Sequence, residues 1–478
     1  MEGGAVVQLW WVLYGFSNEN REKLMACCKC EEHKWDDPQP VVYTDPADGK
    51  DYCLFHAPAE HKGMSVKKFN AQVFERIQVT IDLGDEGALC DLSGTVFSGR
   101  ISFVDNSFLQ ISFQDVQFTN NVSFQKSTFE GDAYFLDATF GGVVNFGNSC
   151  FKRGSFFHTS KFDKYALFRM VIFKSGVEYT GSIFEGSVDF GEAHIDGDAN
   201  FNSVRFRGKA LFSSAQFGGK ASFHFVEFGE GASFRSFTVA PIATLTFADC
   251  TISRAAVIFR DCDPTCLNLT GQYDLANFRF IDSPWEKNGR IKACTEDHED
   301  NLQSTRDFYQ RMKAKYKTEN NEYEASKWHI AEKEAQLKLL WQTVESKPLY
   351  LGLCLYKLSS RFGEDPVLAG KWLLGLIGFV LLLLGLGGIG DGQRIIQGPA
   401  WPSSWESISN FGTVFMTLFK NVMLFKVVEF KPQYGLIGGV VLVMTRLIIP
   451  LQAALFAFAR GTTSDANLTN YIEGIGRS

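Results

Sequence analysis

The sequence predicts a four-sided β-solenoid, followed by a charged helical segment and an apolar, membrane-like C-terminus. Three observations carry this. From Phe113 to Phe234 an apolar anchor recurs at Phe113, Phe118, Phe124, Phe129, Phe135, Phe140, Phe146 and onward, and after Phe118 the steps alternate six and five residues without a slip. Small or β-branched residues stand two positions ahead of the anchors, among them Ala133, Ala138, Val144, Ser149, Ser155, Ser160 and Ala166. From Val367 onward long apolar runs replace the repeat.

The anchor spacing matches neither a helical period nor the alternation of an ordinary strand. A short period repeated this often marks a solenoid, whose units cannot bury their apolar faces alone and so stack. One anchor per five or six residues places one inward side chain on each side of a polygonal coil. Four such sides make a turn of 22 residues, with coils about 4.8 Å apart. The small residue also points inward, where only a small group fits beside a stacked aromatic.

Stretches such as Phe129–Phe140 (FEGDAYFLDATF) resemble the pentapeptide-repeat family. That resemblance implies a right-handed quadrilateral β-helix over residues 95–283, here in 11-residue units that make wider coils than five-residue units. It implies a fold rather than a function, because the same scaffold serves unrelated roles.

A chain of 478 residues has room for several domains, and a net charge of −7 carries no global nucleic-acid signature. The 45 phenylalanines are accounted for by the ladder. The 11 cysteines are mostly scattered singly, as at Cys90, Cys150, Cys250, Cys294 and Cys354. This is the usage of reduced intracellular thiols rather than of a disulfide framework. No basic segment precedes the apolar run Ala5–Phe16, so no signal peptide is expected. Everything ahead of the first span is then expected in the cytoplasm. The run itself is too short to cross a bilayer. It reads as an element docked on its own domain or as an interfacial contact.

Within the N-terminal region, 1–80, Cys27 and Cys30 form one pair with two residues between, and Cys53 and His56 form another, about 22 residues on. Each pair can clasp one edge of a tetrahedron, and thiolates with a neutral imidazole suit zinc. Four protein ligands leave no open position, so the expected cofactor is a structural zinc, with Cys28 and His33 as alternative ligands. Tyr52–His56 (YCLFH) resembles a segment ahead of the repeats in channel-like pentapeptide-repeat proteins.

Along the solenoid, residues 22 apart should stack, which pairs Glu130 with Lys152, Lys174 with Asp196, Glu185 with Arg207, Asp198 with Lys220 and Arg205 with Glu227. Arg153, Lys161, Lys164 and Arg169 find no such partner. They read as a solvated face or as an anion-binding belt, which several subunits around an axis would amplify.

The repeat decays through 239–283, and the connector at 286–365 shows helical spacing over Leu302–Tyr316 and Tyr323–Val344. Its stretches 325–334 and 349–366 resemble the connector of pentapeptide-repeat proteins that carry a two-span, ion-channel-like C-terminus. In the expected membrane module, 367–460, Val367–Ile389 is the first span and Tyr434–Ala459 the second, the latter holding Arg446, Pro450 and Gln452. A charge such as Arg446 in hydrocarbon needs a partner, a pore or an interface, and Pro450 is expected to kink the helix. Between the spans, Trp401 and Trp405 have the look of interfacial anchors. Asn410, Thr413, Thr417 and Asn421 form a polar stripe on 407–428. Span, re-entrant segment, span is the plan of tetrameric pores; the alternatives are a third span or an interfacial helix. A Thr-Val-Gly-Tyr-Gly-type potassium filter is missing, so no selectivity is assigned. The tail, 461–478, carries no signal.

Nothing in the sequence points to catalysis. Gly385-x-Gly387-x-x-Gly390 ends an apolar run, without the strand and helix a dinucleotide site needs. The domain plan resembles membrane effectors of bacterial anti-phage defence, including the Hailong type. That resemblance implies a homo-oligomeric channel, expected as a homotetramer, in the bacterial inner membrane. Its ligand would be a nucleotide or single-stranded oligonucleotide, bound at Arg153, Lys161, Lys164 and Arg169, and its gate would involve Arg446 and Pro450. The alternative is a non-conducting membrane-anchored β-helix scaffold for protein interactions.

Overall fold

The computed structural model describes residues 27–35, 39–82, 88–272, 274–287, 289–293, 301–342, 347–387, 389–391, 394–396, 440, 443–457 and 459. The chain forms two compact units, Met1–Asp297 and His298–Ser478.

In the first unit, a short helix α1 (Cys28–Glu32) precedes the hairpin β1 (Val41–Thr44) and β2 (Asp51–Cys53), and helix α2 (Val66–Asp82) follows. The solenoid then runs from the strand Leu89–Asp91 to the strand Phe278–Ile281. Its strands, most of them two residues long, stack into four parallel sheets of seven, nine, eight and nine strands. Mid-solenoid the register is 22 residues, as in Thr128 against Cys150 and Ala133 against Ser155. It is 21 at the start, where Leu89 faces Gln110, and 24 where Ala221 faces Leu245. That insertion is where the sequence repeat loosens.

The anchors face inward as their spacing requires. Phe113, Phe124, Phe135, Phe146, Phe157, Phe168 and Phe173 are each fully buried. They stack in four columns. In one, Phe103, Phe124, Phe146, Phe168, Phe190, Phe212 and Phe234 follow each other at 4.6–5.1 Å between ring centroids. Rings from neighbouring columns meet edge to face, as Phe135 and Phe146 do at 5.5 Å. Both arrangements are favoured by the ring quadrupole. The small residues fill the space left over: Ala133, Ala138, Val144, Ser149, Ser155, Ser160 and Ala166 are all buried. The inward serines Ser127, Ser149, Ser160 and Ser182 donate to the carbonyls of Phe103, Phe146, Phe135 and Phe157 respectively, so their hydroxyls are not stranded in the core.

The 11-residue unit has a backbone cause. After every second anchor the chain turns through a left-handed residue: Asp115, Lys126, Asp137, Asn148, Thr159, Met170, Gly181, Glu192, Ser203, Ser214 and Phe225. The turn closes with a hydrogen bond from Val116 N to Phe113 O, and equivalents recur along the coil. Ten of these eleven residues carry a side chain in a conformation that glycine adopts most easily. At another corner Gly142 is required by close approach, because a Cβ there would lie 2.4 Å from the backbone of Asn120 and Asn121 on the coil before.

The residues expected to form a separate N-terminal region dock on the first coil. Phe69 and Phe74 of α2 meet Phe97 and Phe103 at 5.8 and 5.4 Å. Val96 N donates to Phe55 O at 2.9 Å, and Arg76 Nε to Asp91 O at 2.9 Å. This covers the terminal ring layer, as a solenoid end requires. At the other end Trp285 packs on Phe280 at 5.1 Å.

The second unit contains α3 (Leu302–Thr318), α4 (Glu322–Gln342), α5 (Lys347–Ser360) and α6 (Pro366–Gly387). Helices α3 and α4 pair around Phe308, Tyr309, Met312 and Trp328, all buried. Among the described residues, one helix is long and apolar enough to cross a membrane: α6, over Pro366–Leu383. The second expected span is described only in part, as helical residues 443–457. These include a π-helical turn, Met444–Ile448, directly ahead of Pro450. A proline ring clashes with the carbonyl four residues before it. The expected kink is therefore taken up as a widened turn, closed from Ile449 N to Met444 O.

Candidate metal centre

The two ligand pairs converge. Cys27 and Cys30 lie at the start of α1, Cys53 ends β2, and His56 sits in the turn after it, closed by His56 N to Cys53 O at 3.1 Å. All four residues are buried, and their ligand atoms lie within 4.8 Å of one another. Sγ of Cys30 and Cys53 are 3.8 Å apart. Nδ1 of His56 lies 3.3, 3.5 and 3.2 Å from the sulfurs of Cys27, Cys30 and Cys53. Zinc–sulfur bonds of about 2.3 Å in a tetrahedron give edges of about 3.8 Å, so the donor set has the size of a zinc shell before any ion is placed in it.

The surroundings orient the donors. His56 Nε2 is 2.9 Å from the carbonyl of Ser93. A carbonyl can only accept, so Nε2 carries the proton and Nδ1 turns its lone pair to the sulfurs. Cys53 N donates to Cys27 Sγ at 3.2 Å, a contact that favours the thiolate. Hydrogen bonds from Cys30 and Cys53 pull the Cys27 thiol far down, and the same contacts push Cys30 up, as expected of thiols sharing one buried pocket. Burial pulls His56 down, but Cys27 and Cys53 outweigh it and raise it to about 9, so without a metal Nδ1 also holds a proton at neutral pH, which a bound metal would displace to use the lone pair. Lys62 is buried and donates to the carbonyls of Leu54 and Phe55 at 2.6 and 2.9 Å, pinning the loop between Cys53 and His56. Burial lowers Lys62 to about 7 against the opposing pull of Cys53. Neither Lys62 nor the Ser93 carbonyl is signalled in the sequence, because neither belongs to a spaced motif.

The alternative ligands stay outside this set. Cys28 is half-buried and engages Tyr52. His33 points to Asp115, with Nε2 at 3.5 Å from Oδ2, in a cluster where Lys29 bonds the same carboxylate at 2.8 Å. His33 first and Lys29 after it hold Asp115 below its ordinary range.

The basic coil differs from its expectation. Arg169 pairs with Glu192, 23 residues on, and Lys161 pairs with Asp163 at 2.7 Å. Two of the four cations expected to be unpartnered are therefore neutralised locally. The four also surround the coil: Lys161 lies on a strand, while Arg153, Lys164 and Arg169 lie at corners following three different sheets. Of the stacked pairs, Glu130–Lys152, Lys174–Asp196 and Glu185–Arg207 form at 2.7, 2.7 and 3.2 Å. Asp198 instead accepts from the backbone N of Lys220, and Arg205 faces Glu227 in register. Asn410, Thr413, Thr417 and Asn421 lie outside the described residues, as do Ala5–Phe16 and the tail. Arg446 is placed by its backbone in the π-turn, and Pro450 follows it.

A family model for pentapeptide repeats (nine copies) matches residues 113–161 and 179–224. No curated protein and no solved structure matches the chain.

Proposed function

Because this chain is a pentapeptide-repeat protein whose repeats form a β-solenoid, we propose that it is a membrane-anchored scaffold. In this reading the solenoid faces carry the binding surface, a zinc-held cap closes the first coil, and the C-terminal helices hold the molecule in a bilayer. One observation carries it: over Pro366–Leu383, α6 is apolar throughout except for Lys371, yet only 11 % of that stretch is buried. A helix apolar on all sides and uncovered by protein has a lipid environment as its stable solution. Zinc is the proposed metal because three thiolates and an imidazole at tetrahedral spacing suit it and leave no open position. Its role is then to hold the cap. Membrane fractions of cells expressing the full chain test the anchor. Retention through an alkaline carbonate wash, with release on deletion of 366–387, supports it; a full chain in the soluble fraction sinks it.

A second reading is the homo-oligomeric pore, with an anionic ligand acting through the solenoid. It is favoured by a polar contact inside the apolar helices. Gln452 is buried and donates to the carbonyls of Ser359 and Ala369 at 3.2 and 3.0 Å, beside the packed pair Val380 and Ile449. Buried polar groups at membrane depth accompany pathways more often than plain anchors. Ion flux from liposomes holding the purified full chain decides between the readings: conduction supports the pore, and its absence at verified incorporation leaves the scaffold.

A further inference from the structure

Helix α5 presents the wrong face to water. Its leucines Leu351, Leu355 and Leu358 follow one another at four and three residues, which places them on one side of the helix. They are 60, 56 and 56 % exposed. The charged residue in its last turn, Lys357, leaves the helix on another side and reaches Glu334 of α4 at 2.7 Å. A helix packed on a soluble protein turns its leucine stripe inward instead. Nearby Trp341, at the end of α4, is 75 % exposed and leans on Tyr350 at 5.4 Å between centroids.

The helix is also rigidly joined to α6. Arg361, Phe362 and Gly363 are consecutive left-handed residues. Gly363 N and Asp365 N both donate to Ser360 O, at 3.1 and 3.0 Å, and Asp365 Oδ1 accepts from Leu368 N at 2.8 Å, capping α6. Phe362 is fully buried under this turn. The exposed leucine face is therefore held close to the point where α6 begins. Its 14 residues span about 21 Å, short of the roughly 30 Å of a hydrocarbon core.

We propose that α5 is an interfacial helix. Its Leu351–Leu355–Leu358 face lies in the headgroup–acyl boundary of the bilayer that α6 enters, and Lys347 and Arg361 at its two ends meet lipid phosphates. This rests on the membrane reading of α6. Lipid is the occupant chosen because the face is continuous with α6, bounded by cations at both ends, and accompanied by Trp341 and Tyr350, the residue types that favour the interface. The helix fixes the depth and tilt at which α6 enters, and couples that tilt to α4 through Lys357–Glu334.

The test uses the full chain in vesicles of phosphatidylcholine and phosphatidylglycerol, with the photoreactive residue p-benzoylphenylalanine in place of Leu355, Leu374 or Tyr323. Leu374 is 71 % exposed on α6, and Tyr323 is 48 % exposed on α4. Irradiation followed by mass spectrometry reads lipid adducts. The expected result is adduct formation at position 355 comparable with that at 374 and about tenfold above that at 323, with the 355 adducts nearer the headgroup. Adducts at 374 with none at 355, or crosslinks from 355 to protein, overturn the proposal while leaving the span intact. Loss of adducts at both positions removes the membrane reading itself.

Discussion

His56 meets the carbonyl of Ser93 at 2.9 Å and so ties the Cys53–His56 turn to the first coil of the solenoid. On the zinc reading the bond would make metal binding and capping one event, because the ring that would supply a ligand atom on one side holds the coil on the other. Outer hydrogen bonds of this kind set both tautomer and orientation.

The first expectation follows from that link. Protein prepared without a histidine tag should hold one zinc per chain, and Cys53→Ser should lose it. Chelation should lower the thermal midpoint and expose the Phe97 and Phe103 layer, because the cap lets go first. Elemental analysis with amide exchange over 88–113 measures both. Full zinc content in Cys53→Ser removes the site.

The ring columns set the second. Phe173 is fully buried and stacks on Phe151 at 5.0 Å, with Ile195 next in register. Phe173→Ala should cost about 3–5 kcal/mol in denaturant titration. A loss below about 1 kcal/mol would mean that the inward register is misassigned.

Tyr179 interrupts a column of phenylalanines. Its ring stacks between Phe157 and Phe201 at 4.8 and 5.3 Å, while its hydroxyl is buried without a hydrogen-bond partner among the described residues. A stranded buried hydroxyl costs about 1–3 kcal/mol. Tyr179→Phe should therefore raise stability by about 1 kcal/mol or more; a lower midpoint for the variant would show that the hydroxyl is satisfied.

Glu332 sets a pH dependence in the helical unit. Burial raises it, but His329 and Lys313 outweigh burial and bring it from 4.5 down to about 2. A carboxylate depressed in the folded state contributes stability above its unfolded pKa and loses it as pH falls toward the folded one. The contribution should be present above pH 4.5 and fade toward about 2. A shift of that size is worth about 3 kcal/mol, and the side chain is only 10 % exposed. Glu332→Gln should flatten this acid limb in urea titrations of the full chain at successive pH values. Parallel pH profiles for the two proteins would show that another group sets it.

The phenylalanine spacing by itself determined the four-sided coil, its 22-residue register and which residues face inward. A one-dimensional pattern suffices there, because each short side has one inward anchor place that an apolar side chain fills, and each coil contacts only its neighbours. Likewise, two ligands separated by two residues can clasp one tetrahedral edge, so the four members of the buried cluster were legible. The choice of His56 over His33 as the fitting imidazole, and the role of the Ser93 carbonyl, came from the tertiary structure, since they depend on where β2 and the first coil meet. So did the neutralisation of Arg169 and Lys161. Register fixes which backbone positions stack, whereas a long side chain at a corner reaches a carboxylate 23 residues on, and one on a strand reaches along its own coil. The outward leucines of α5 are the same case. Nothing in the sequence singles them out, and only the tertiary structure shows that Leu351, Leu355 and Leu358 are left exposed while Lys357 reaches Glu334.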